Sequence, residues 1–227
     1  MKKLFSAIRK KEINEISKIL DKNPELVNCI AKGISKRDDG EIPLQTAIKT
    51  ENFDIAKLLI ERGADVKFME TEIEDEDWRK PALYFAIEAV IANSRDEIYI
   101  PKYSPQNNSG FLGLFKKDQW TVKSEPTKKY REAFEIMKLL IEKGADIHSS
   151  NSTSNYQISA SEFICNRIAN YHFDNKRPLV KQTLDDLHPI FELFKITKIT
   201  DFDLPSVSES GNTVYESYKN LIDQIFE

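Results

Sequence analysis

KLLIERGADVK, Lys57 to Lys67, returns 81 residues later as KLLIEKGADIH, Lys138 to His148. In and just before the first copy Ile55, Leu58, Leu59 and the stem of Arg62 recur at helical spacing and predict one apolar face. Gly63 follows as the residue that can take the left-handed conformation closing a helix, and Asp65 and Val66 are expected to lead away as an extended arm. Upstream, PLQTAI begins with Pro43 at a first helical position and sets Leu44, Ala47 and Ile48 on one side. The stretch from Gly40 to Val66 therefore predicts two short helices, joined by a turn at KTEN and followed by an arm.

This pattern resembles the ankyrin repeat, a unit of about 33 residues made of a β-turn and two helices, with the signature T-P-L-H-x-A. Pro43, Leu44 and Ala47 keep that signature, whereas Ile42 stands for Thr and Gln45 for His, so weaker hydrogen bonding is expected at that turn. The 81-residue interval holds 48 surplus residues, a few in the arm before PALYFAI and most between Ala86 and Lys138. Without them the interval is 33, so the second phrase belongs to the next repeat.

The resemblance implies an all-α, ankyrin-repeat α-solenoid of four to five capped units forming a single domain over 1–227. Residues 1–39 read as an N-terminal cap with Ala7 in the place of Ala47, and 40–80 as the second repeat. Residues 81–150 form the third, interrupted at about 94–129, where EIYI and QWTV have the alternation of a short β-hairpin. Residues 151–204 read as a diverged fourth repeat, its second helix interrupted at Pro189, and 205–227 as a C-terminal cap.

Bulk properties narrow the function. The chain has 40% hydrophobic and 31% charged residues with few Gly and Pro, as in a helix-rich folded protein. A formal charge of −4 argues against wholesale binding of nucleic acid. Cys29 and Cys165, far apart and outside any C-x-x-C, fit a reducing, cytoplasmic setting, and no window approaches the length of a membrane span. The three histidines have no metal-ligand spacing and the glycines form no phosphate loop, so neither an enzyme nor a cofactor is expected.

Function is expected where the chain adds to its repeats. Six of the eight residues from Glu70 to Asp77 are acidic, among them Glu72, Glu74, Asp75, Glu76 and Asp77, and Trp78 follows. Such a finger would attract a basic protein partner, with Trp78 as its apolar anchor. The insertion supplies Phe111, Phe115 and Trp120 beside Lys116 and Lys117, apolar residues that either pack back or await a partner. The resemblance implies a monomeric protein-binding module: an inhibitor, an adaptor or a toxin-neutralising protein. The rival reading assigns the basic aromatic stretch 111–131 to nucleic acid or an anionic membrane.

Overall fold

The computed structural model describes residues 1–69, 80–96, 98–100, 119–148, 150–152, 157–169 and 180–194. These residues are mostly helical. The chain divides into two compact units, one of Met1–Asn93 with Lys128–Arg167 and one of Ser94–Thr127 with Ile168–Glu227.

The first unit contains three helical pairs. Helix α1 (Lys2–Arg9) packs on α2 (Ile13–Lys22), α3 (Pro43–Lys49) on α4 (Phe53–Glu61), and α5 (Ala82–Ala92) on α6 (Lys128–Glu142). The first members stack in the order α1, α3, α5, and α4 packs on α6. Leu44, Ala47 and Ile48 of α3 are wholly buried, as their spacing predicts. In α4 the buried stripe is Ile55, Ala56, Leu59 and Ile60, while Leu58 is only half-buried and Arg62 exposed. The predicted face is thus rotated, because α4 meets α3 on one side and α6 on the other and needs a wider apolar arc.

Helix ends show the repeat at the level of single hydrogen bonds. After α4, the N–H of Gly63 donates to Ile60 C=O at 3.1 Å and that of Ala64 to Leu59 C=O at 2.9 Å. After α6, Gly144 and Ala145 repeat this with Ile141 and Leu140 at 2.9 and 2.8 Å. Both glycines have positive φ, 86° and 94°. Each is the left-handed residue that lets two terminal carbonyls find donors. The ends of α1 and α3 close in the same way, with Lys11 (φ 60°) and Glu51 (φ 54°) in the left-handed place. In α5 the corresponding residue is Val90, and a β-branched side chain is strongly disfavoured at positive φ. The helix runs on to Ala92, and the insertion leaves from there.

Asp65 and Val66 do not form the expected extended arm. The Asp65 carboxylate accepts the N–H of Lys67 at 2.9 Å, and Asp146 accepts that of His148 at 2.8 Å. The aspartate of each GAD therefore turns the chain immediately after the helix. The arm after α6 contains two strands that the sequence did not reveal, β3 (Ser150–Ser152) and β4 (Gln157–Ser159), paired antiparallel. Serine and asparagine have low strand preference and no apolar alternation, so no local pattern announced them. Helix α7 (Ala160–Ala169) follows, and its Phe163 ring lies 4.3 Å from that of Tyr84 on α5.

In the second unit β1 (Ile98–Ile100) and β2 (Gln119–Thr121) pair antiparallel, with Tyr99 opposite Trp120. Helix α8 (Lys181–Leu193) buries Leu187, Ile190 and Phe191. It continues through Pro189 instead of breaking there. Proline removes one helical donor, and apolar anchors on both sides of it keep the helix in line. Arg95 fastens the start of the insertion to α8: its guanidinium meets Asp186 at 2.8 to 3.1 Å, and its backbone N–H donates to the same carboxylate at 2.8 Å. Arg95 also donates to the carbonyl of Ser124, near the end of the insertion, so one buried side chain ties both of its roots. Residues 195–227, with the expected C-terminal cap, lie outside the described residues.

Candidate interaction surface

Each second helix of the first unit is followed by an arm. The arm after α2 turns through Pro24–Asn28 and closes on itself between Ala31 and Glu41, where the Ala31 N–H donates to Glu41 C=O at 2.8 Å and Gly40 N–H returns to Ala31 C=O at 2.9 Å. The arm after α4 is closed at its root by an antiparallel bridge between Met69 and Pro81. The arm after α6 carries β3 and β4.

Side chains bind one arm to the next repeat. Asn28 donates to Gly63 C=O at 3.1 Å and accepts the N–H of Asp65 at 2.7 Å, so it caps the turn that closes the following unit. Lys67, one repeat on, passes within ordinary contact of Gly144, whose Cβ, if present, would lie 3.5 Å from Lys67 Cε. Gln45 is wholly buried, and both ends of its amide are used. Its Oε1 accepts the N–H of Ile42 at 2.9 Å, and its Nε2 donates to the Lys80 carbonyl at 2.8 Å. The expectation that replacing histidine by Gln45 weakens this turn is therefore corrected: the glutamine holds the start of α3 and the root of the next arm together.

Charged side chains meet between the first arm and the ends of α1 and α3. Asp38 is wholly buried and meets Arg9 through Nε at 3.0 Å and through Nη2 as well. Lys49 lies 3.7 Å from Asp38 and pairs with Glu41, whose other oxygen accepts the Thr46 hydroxyl at 2.8 Å. Burial pushes the Glu41 carboxyl up, the Lys49 charge and the bonds from Lys49 and Thr46 pull it down, and the Asp38 charge adds a push upward. The net shift is upward, so burial wins over pairing.

Further along, Glu88 on α5 accepts Lys80 and Arg167, each at 2.9 Å. Lys80 Nζ lies 5.5 Å from the Phe85 ring centre and 5.8 Å from that of Phe163, and the Arg167 guanidinium carbon lies 5.2 Å from the latter. Two buried phenylalanines thus lie under partly exposed cations at the foot of the second arm. Sequence reading missed this set. Lys80 was detectable as the residue that returns the acidic stretch to the stack, whereas nothing local marks Arg167, 87 residues downstream.

The predicted contact residues fall mostly elsewhere. Glu72, Glu74, Asp75, Glu76, Asp77, Trp78, Phe111, Phe115, Lys116 and Lys117 lie outside the described residues. Trp120 is in β2, in register with Tyr99. The structure brings together the root of the acidic stretch and the Lys80, Glu88, Arg167 group.

Among the described residues no group of three or more His, Cys, Asp or Glu could hold a metal ion. Cys29 is a half-buried free thiol whose pKa is raised by burial, which leaves little thiolate. No helix among the described residues is long and apolar enough to cross a membrane.

Residues 39–69 match the family model of the ankyrin repeat. No curated protein matches the chain. Ankyrin repeats are generally protein–protein interaction modules and typically non-catalytic. The matched segment covers α3, α4 and the turns on either side of them, the unit whose hydrogen bonds recur at α6, so the chain contains an ankyrin repeat there.

Proposed function

We propose that this chain is a non-catalytic, cytoplasmic binding module, a capped solenoid of four to five repeats that holds a basic protein through its second arm, aided by the insertion. The observation carrying this reading is the root of that arm. Met69 pairs with Pro81, and Gln45 holds the Lys80 carbonyl, so the acidic stretch starts and ends at one fixed place on packed helices. A charged segment anchored at both ends gives up less freedom on binding than a free tail. Its negative charge raises the rate at which a basic partner arrives, and Trp78 supplies apolar area at the contact. The Arg95 clasp supports a supporting role for the insertion, because both roots are fastened. The module acts as a monomer that inhibits, neutralises or recruits its partner by occupying it.

Reversing Glu72, Glu74, Asp75 and Glu76 to lysine tests the reading. Capture of a partner from lysate falls by about tenfold or more, as expected for several charges that steer and hold together, while the unfolding curve stays in place. Unchanged capture would show that the stretch is only solvated surface.

A further inference from the structure

The connection between α1 and α2 places a lysine where the repeat closes its first helix with a left-handed residue. Lys11 occupies the left-handed region at φ 60°, a conformation glycine enters freely and lysine does not. Its side chain is exposed and makes no ion pair within 4 Å. Glu51, at the same place in the next unit, is held by Lys129 and Asn93, so there the side chain has contacts to offset the strain. Lys11 has none.

Lys11 borders a groove of about 660 Å³ lined by α1, the turn and α2. Lys3, Lys10 and Lys18 line the same groove, all exposed and all without an ion pair, whereas neighbouring Arg9 is committed to Asp38. Ile13, on the rim, is 40% exposed and one of three exposed large hydrophobic side chains among the described residues. Four cations without an ion pair thus line the groove beside an apolar residue, in a molecule whose formal charge is −4.

We propose that the α1–α2 groove is a docking site for an extended acidic segment of a partner protein that carries one apolar side chain for Ile13. Glu12 and Glu15 also line the groove, and they would repel a continuous polyanion more than a peptide whose carboxylates are spaced. Among the described residues the exposed large hydrophobics, Met1, Ile13 and Ile30, include no aromatic on which a base would stack. Both points favour protein over nucleic acid. The site is independent of the acidic second arm and opposite to it in sign.

A fluorescein-labelled glutamate peptide with one central leucine serves as the probe, read by anisotropy on the full chain. The quadruple variant Lys3→Gln, Lys10→Gln, Lys11→Gln, Lys18→Gln should weaken binding by about tenfold, the summed effect of four exposed charge pairs. A variant with Lys32, Lys36, Lys57 and Lys143 changed to Gln has the same net charge and should bind as the parent does. The leucine peptide should bind more tightly than an all-glutamate peptide, and Ile13→Ser should erase the difference. Lys11→Gly should weaken the peptide without lowering Tm, because the turn is relieved while the charge is lost. Equal weakening by the two quadruple variants would overturn the proposal, as would tighter binding of a single-stranded oligonucleotide of equal charge. A concentration-dependent dimer abolished by the groove substitutions would overturn it in favour of a second copy as occupant.

Discussion

Lys49 and Glu41 show how a single residue pair sets a pH response. The folded environment raises the Glu41 pKa above its ordinary value of 4.5, so below that value the group adds no cost. As pH rises through the folded pKa the carboxylate forms at a cost to stability, and above it that cost is fully present. Glu51 behaves in the opposite way. Burial pushes it up, but the hydrogen bonds from Lys129 and Asn93 and the charges of Lys129 and Lys11 outweigh that, so its contribution is present above 4.5 and lost as pH falls through the depressed value. Glu41→Gln should therefore flatten the fall in stability from mildly acidic to neutral pH, measured as urea midpoints across a pH series. Lys49→Met should cost about 3 kcal/mol at neutral pH, because it leaves a buried carboxylate without its cation. It should also steepen the pH dependence. Little of this was readable beforehand: Asp38, Glu41 and Lys49 look like ordinary surface charges until the arm folds back, buries the two carboxylates and brings Lys49 onto them.

Among the elements, those with a periodic apolar face were legible. The helices α3 and α4 and the glycine that closes α4 follow from PLQTAI and KLLIERG, because stacking requires apolar side chains at fixed helical spacing. The elements that escaped are held by distant partners. Helix α8 continues past Pro189 because Leu187, Ile190 and Phe191 are buried, a tertiary effect that outweighs a local breaker. The Arg95–Asp186 pair spans 91 positions and has no sequence signature. Asp186→Asn should cost about 3 kcal/mol by leaving the guanidinium without its counter-charge. Limited proteolysis should then cut faster within 94–127, and an unchanged cleavage rate would show that the clasp does not hold the insertion.

On the scale of the whole molecule, the two units interleave along the sequence, since each is built from two separate stretches. Calorimetry should resolve two transitions. Gln45→Ala strips partners from the Ile42 N–H and the Lys80 carbonyl, and should lower one of them by about 2 kcal/mol of stability. Asp186→Asn should lower the other. If both variants shift a single transition, the units unfold as one. The division between units was only partly legible: the insertion stood out by its length, but its grouping with residues from Ile168 onward depends on contacts no motif encodes. The connections within helical pairs also have an entropic meaning. Residues 10–12 and 50–52 join the first two pairs, whereas residues 93–127 separate α5 from α6, and yet these two helices still pack on each other. Loop-closure entropy grows only as the logarithm of length, so the longer connection costs about 2 kcal/mol more than the short ones. That is comparable to one well-buried leucine, and it makes the gap after Ala92 a place where a foreign domain could be spliced in without unstacking the helices.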